Sequence, residues 1–209
     1  MSVRTLAQAS RRPAVDGDAR ERLLHAAIEA FAELGYEGTS LREIAERAGV
    51  GFQLIAYYFG SKDDLWLAAV EDAYGYFASH GQRLVLDASG DLDQQFREHL
   101  RQVVIRVNER PHLLRIFVQE ALARSARFHK VLRPLLRRFF ETVSLPFQRE
   151  AKRLGVLRTL TAEESELILN SLILANLVNE AGVELLLGER AGSRAYVERQ
   201  VDLLARVLR

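Results

Sequence analysis

Residues 36–62 read YEGTSLREIAERAGVGFQLIAYYFGSK. Ser40-Leu41-Arg42-Glu43 has the form of a capping box, which predicts a helix start. Leu41, Ile44, Ala45 and Ala48 follow at i, i+3, i+4 and i+7, the spacing of one buried helix face. Gly49 stops this helix after about two turns. A third short helix fits between residues 51 and 58, with Val50, Ile55 and Phe59 on its buried side. Gly60-Ser61 breaks it, and Ser61-Lys62-Asp63-Asp64 caps a long fourth helix. Two short helices joined by a glycine-containing turn have the layout of a helix-turn-helix.

Once its buried side is assigned, the third helix keeps Phe52, Gln53, Leu54, Ala56 and Tyr57 for its outer face. A helix serving packing alone would carry charges there; this one carries apolar and hydrogen-bonding groups. Gln53 can bond the N6/N7 edge of adenine, and Phe52 or Ala56 can meet thymine methyls. The hydroxyl of Tyr57 or Tyr58 can donate to a phosphate. Lys62 sits in the first turn of the fourth helix, beside amides that also favour anions. Residues 1–60 hold seven arginines against eight acids, so the charge sum gives no argument for nucleic acid.

Helical spacing extends through the rest of the chain, which predicts an all-α fold of about nine helices. Residues 1–16 read as a flexible arm, with Arg11 and Arg12 able to reach a groove. Asp16 and Asp18 mark the start of the first helix, with Leu24, Ala27, Ile28, Phe31 and Leu34 on one stripe and Gly35 at its end. Asp91 caps a fifth helix, and Pro111 opens a sixth. A long seventh is expected from about 127 to 154, with Pro146 kinking it by freeing the carbonyl of Thr142. Thr161-Ala162-Glu163-Glu164 is a second capping box, opening an eighth helix with no polar face. Ser193 caps a ninth. Residues 87–90 and 188–192 are the clearest loops.

The chain has 209 residues, 48% of them hydrophobic, which suffices for a packed core. It contains no cysteine, so disulfides and thiolate chemistry are excluded. No apolar run exceeds six residues, the length of 54–59, which is far short of a membrane span. No secretory signal is recognisable, and a cytoplasmic location is expected. The five histidines lack metal-ligand spacing, and no Walker loop, GxSxG or strand-linked GxGxxG is present. Neither an enzyme, a metal nor a cofactor is expected.

Several of these residues stand together as they do in the tetracycline-repressor (TetR)-like transcriptional regulators. The chain resembles that family at Ala27 and Phe31, at Gly35-Tyr36-Glu37-Gly38-Thr39-Ser40, and at Ile44-Ala45. The match continues through Ala48-Gly49-Val50, Tyr57-Tyr58-Phe59 and Ser61-Lys62-Asp63-Asp64-Leu65, without a gap. It departs at Gly51, Gln53 and Ala56, where family members often carry Ser, Gly and Tyr. The resemblance implies an arm (1–16), a helix-turn-helix domain (17–62) and a ligand-binding and dimerisation domain (63–209). It also implies that Thr39, Ser40 and Arg42 face the phosphate backbone beside Gly51, Phe52, Gln53, Leu54, Ala56, Tyr57, Tyr58 and Lys62.

The implied partners are a palindromic double-stranded operator, a second copy of the chain and a small-molecule effector, with repression the commoner outcome. For the dimer the residues speak independently. Ser171, Ala175, Asn179 and Gly182 form a small-residue face on the eighth helix, and Val197, Val201 and Leu204 lie on a stripe of the ninth. Expected effector contacts are Tyr76, Phe77, Phe117, Phe139 and Phe140 as apolar walls, with His80, Glu120, Asn170 and Asn176 as polar groups. The competing reading is a helical small-molecule-binding or protein-interaction module whose DNA head is vestigial.

Overall fold

The computed structural model describes residues 13–81 and 86–208, with the side chains of 13–17, 80, 81 and 176–178 outside the description. The arm residues 1–12, with Arg11 and Arg12, therefore lie outside it, as do the side chains of His80 and Asn176. The described residues are helical and contain no strand. They divide into two compact units, residues 1–69 and 70–209.

In the first unit, α1 (Pro13–Gly38) begins ahead of the expected acidic start. Proline suits that place, because a first-turn residue needs no amide donor. The helical path breaks at Gly35 (φ 71, ψ 171), a backbone region open essentially to glycine alone. The buried face of α1 is Leu23, Ala27, Ala30 and Phe31, while Leu34 is 45% exposed. Of the expected stripe, Ala27, Ile28 and Phe31 are buried and Leu24 is half-buried, while Leu34 is exposed and Leu23 is buried in addition. Against this face pack α2 (Leu41–Ala48) and α3 (Gln53–Tyr58). α4 (Lys62–Gly81) contributes Leu65 and Trp66 to the first unit, both buried.

In the second unit, α5 (Leu92–Glu109) starts at Asp91, whose carboxylate accepts from the Gln94 amide at 3.1 Å. α6 (Pro111–Ala123) follows with proline in its first turn. The expected seventh helix is one continuous run with two π-turns, Phe128–Leu132 and Phe140–Ser144, flanking α7 (Arg133–Phe139) and α8 (Leu145–Arg153). Each π-turn immediately precedes a proline that occupies the second helical position after it, Pro134 and Pro146. A proline cannot donate to the carbonyl four residues back. The widened turn closes instead through i to i−5 bonds, Arg133 to Phe128 and Leu145 to Phe140. The kink expected at Pro146 is therefore a π-turn, and Pro134 has its own.

α9 (Ala162–Val178) opens on Thr161, with both halves of the capping box formed. The helix does not continue: Asn179 (φ −126, ψ 36) separates it from α10 (Glu180–Leu187). Ser193 accepts from the Tyr196 amide at 3.2 Å to start α11 (Arg194–Leu208). α5, α8, α9 and α11 share a core built on Phe96, Leu100, Phe147, Leu169, Val201 and Leu204. α11 is also tied to α5 by Arg97–Asp202 at 2.5 Å and Arg101–Glu198 at 2.7 Å.

Candidate functional site

The turn between α2 and α3 is set by hydrogen bonding. Ser40 accepts from the Glu43 amide at 3.1 Å, but the Glu43 carboxylate bonds Arg47 at 2.7 Å instead of returning to the cap. Only half of the expected box is formed. Gly49 (φ 63, ψ 38) is left-handed, and its amide reaches the carbonyls of Ala45 and Glu46. The chain then turns so that α3 buries Ile55, 1% exposed, and leaves Gly51, Phe52, Gln53, Ala56 and Tyr57 exposed. Leu54 and Tyr58 are half-buried. No charged residue lies on α3.

The surrounding cations are mostly engaged. Arg47 is bridged to Glu33 and Glu43, and these hydrogen bonds hold its guanidinium above the ordinary arginine pKa. Arg22 pairs with Asp18 and donates to the Ala48 carbonyl. Arg20 lies over the Phe59 ring at 5.1 Å. The Lys62 ammonium is 4.4 Å from the centre of the Tyr36 ring. Arg42 is exposed and has no such partner among the described residues. Thr39 corrects an expectation. Its side chain is 2% exposed, and its hydroxyl lies within 3.0 Å of the Ala30 carbonyl and 2.7 Å of that of Gly35. It closes the end of α1, and its hydroxyl is engaged there and not exposed on the surface. Ser40 remains exposed.

The second unit redistributes the residues expected to meet a ligand. The Tyr76 hydroxyl donates to Glu109, and Phe77 packs edge-on against Tyr76. Glu120 is buried and bound by Ser125 and Arg127. Asn170 donates to the Glu166 carboxylate at 2.6 Å. Phe117 packs on Phe128, and Phe139 on Phe140. None of these lines the cavity of about 240 Å³ found between α5, α6, α9, α10 and α11. Its apolar wall is Val104, Val107, Ile173 and Leu204, and its polar groups are Asn108, Arg115, Glu180, Arg190 and Tyr196. The sequence reading missed all five. The one available signal was Arg115, a lone cation inside the apolar run of α6.

The dimer candidates also part company. Val197, Val201 and Leu204 are 7%, 1% and 1% exposed inside the chain's own core, so they are not free to meet a partner. Ser171 and Ala175 are exposed on α9. Asn179 ends that helix, so the four small residues do not form one continuous helical stripe. A Cβ at Gly182 would meet the Asn179 side-chain amide, which would have to move aside.

With two short helices, α2 and α3, joined at the left-handed Gly49, the first unit has the layout of a helix-turn-helix. Residues 23–69 match the family described as bacterial regulatory proteins, tetR family. A transcriptional dual regulator, CecR of Shigella flexneri, is 28% identical over 206 residues, spanning 89% of this chain and 86% of its own. The transcriptional repressor NicS of Pseudomonas putida is 34% identical over 79 residues, which cover 38% of this chain and 37% of NicS. Among solved structures, the TetR family regulator PfmR of Thermus thermophilus superposes with a TM-score of 0.67 at 20% identity, covering 90% of this chain and 95% of that one. The hemolysin II regulator HlyIIR gives 0.64 at 24% identity, covering 91% and 98%. At such identities the structures share the fold. The chain thus carries a tetR-family match over residues 23–69 and is similar to TetR-like transcriptional regulators. No described helix is long and apolar enough to cross a membrane.

Proposed function

We propose that the chain binds a palindromic operator as a homodimer, in the cytoplasm, and that a small molecule held by the second unit alters that binding. The observation that carries the DNA reading is the outer face of α3. Phe52, Gln53, Ala56 and Tyr57 are exposed and uncharged on a unit otherwise rich in acids. In this reading Gln53 contacts a base edge, Phe52 and Ala56 meet methyl groups, and Tyr57, Tyr58, Ser40, Arg42 and Lys62 meet phosphates. Gly51 lets the backbone come close. The dimer reading is supported by apolar groups that the single chain leaves in water: Leu167 at 68% and Leu185 at 85% exposed, with Ser171 and Ala175 beside Leu167 on α9.

The test is selection of bound duplexes from a randomised pool at about 0.15 M salt. A palindrome with half-sites about one turn apart, roughly 34–36 Å, is expected. Weak binding without sequence preference would instead favour a binding module with a vestigial head. On the selected operator, Gln53→Ala should relax selectivity at one base position by about 1–3 kcal/mol. Arg42→Ala should weaken all sequences alike and flatten the plot of log affinity against log salt by about one unit. Equal salt slopes for native protein and Arg42→Ala would remove Arg42 from the interface.

A further inference from the structure

The cavity of about 240 Å³ lies where α5 turns into α6, at Asn108 and Pro111. It is smaller than the usual ligand pocket of about 300–1,000 Å³. At about 30 Å³ of liquid volume per water, that is the space of roughly eight waters, which suits a guest of roughly seven to ten non-hydrogen atoms. One wall is aliphatic, from Val104, Val107, Ile173 and Leu204. Its charged lining residues are two arginines, Arg115 and Arg190, and a single acid, Glu180. The Arg115–Glu180 separation is 3.9 Å, too long for a hydrogen bond. Arg190 has no ion-pair partner among the described residues. The Tyr196 ring is 1% exposed, and its hydroxyl has no partner among the described residues. Burial, and secondarily Glu180, push that phenol up to about 12, so it remains a neutral donor at physiological pH. The polar side of the cavity is thus rich in donors with one excess positive charge.

We infer that this cavity is the effector site and takes a small monocarboxylate with a compact apolar body. The inference rests on the effector-responsive reading above and names the class of ligand. The guanidiniums supply the paired donors that a carboxylate fits, and the aliphatic wall takes the body. The position also gives a route outward. The next residues of the same corner grip α4: Arg110 bonds Asp72 at 3.1 Å and stacks over the Tyr76 ring, while Glu109 accepts from the Tyr76 hydroxyl. α4 continues without a break to Lys62. A carboxylate drawing Arg115 away from Glu180 re-sets the corner that holds α4.

The experiment is calorimetry on the full chain without DNA, using benzoate, phenylacetate and isovalerate, their neutral amides, and inorganic phosphate. At least one acid is expected to bind, at least tenfold tighter than its amide and than phosphate. Arg115→Gln should weaken that acid about tenfold, and Arg190→Gln should weaken it in the same direction. Asp72→Asn should leave acid binding intact and reduce the acid's effect on operator affinity. The site assignment is overturned if no acid binds at 10 mM, if amide or phosphate binds as well, or if Arg115→Gln changes nothing. Acid binding with the expected arginine dependence but no change in operator affinity would uphold the site and overturn its role as effector. Acid binding in a chain that selects no operator would overturn the regulator reading and leave the site standing.

Discussion

Trp66→Ala is expected to lower the stability of the first unit by about 3–5 kcal/mol, the usual cost of emptying a large aromatic site. The indole is 2% exposed and meets the edge of Tyr36, which in turn stacks on Phe31 with ring centres 5.9 Å apart. Removing it undoes one end of an aromatic chain that joins α4 to α1. A unit this small has little reserve, so sequence-selective DNA binding should be lost with it, although Trp66 is remote from the face of α3 in sequence. Circular dichroism across a denaturant titration measures the loss. Trp66→Phe should recover most of it. A change below about 1 kcal/mol for Trp66→Ala would show that the indole is not integral to the core.

The second large effect is acid sensitivity in the other unit. His99 is 7% exposed, its ring centre lies 3.5 Å from that of Phe147, and its Nδ1 has no partner among the described residues. Burial pushes its pKa down to about 3. The unfolded chain takes up this proton near 6.5, whereas the folded chain does not until about 3. More protons are bound by the unfolded state throughout that window, so stability falls as pH drops through it. The contribution is complete above 6.5. At about 1.4 kcal/mol per pH unit, moving from pH 7.5 to 5.0 costs roughly 2 kcal/mol. The carboxylates held low by hydrogen bonds, Glu98 by Gln102 and then Arg101, and Glu198 by Arg101, matter at more acid pH. Denaturant midpoints of native protein and His99→Phe at the two pH values provide the check. An equally large acid loss in His99→Phe would dispose of this assignment.

Local chemistry was the most legible part of the chain. Ser40, Gly49, Asp91, Pro111, Thr161 and Ser193 each govern the few residues around them, so the helix starts and the α2–α3 turn could be read directly. The break at Asn179 could not. The run from 167 to 178 is apolar on all sides, and nothing in its periodicity marks where its neighbours require it to end. Val197, Val201 and Leu204 were correctly apolar, but a stripe does not say whether it is covered by its own chain or by another. Thr39 follows a family pattern whose local reason is to close α1, and its burial depends on how α1 ends at Gly35. The cavity was the least legible feature. Asn108, Arg115, Glu180, Arg190 and Tyr196 come from separate elements, and only folding brings them together.

The two π-turns bear on how this chain tolerates changes in length. Each holds one residue more than the α-helical turn it replaces. Losing a residue from 140–144 can restore an ordinary turn and leave Phe147, Gln148 and Ala151 pointing inward as they do now. The same loss within α8 would swing everything beyond it by about 100°, carrying Ala151 off the core. The surplus residues sit where a deletion is absorbed without disturbing the shared core, so the stretch ahead of each proline is where a shortened descendant of this chain would keep its shape.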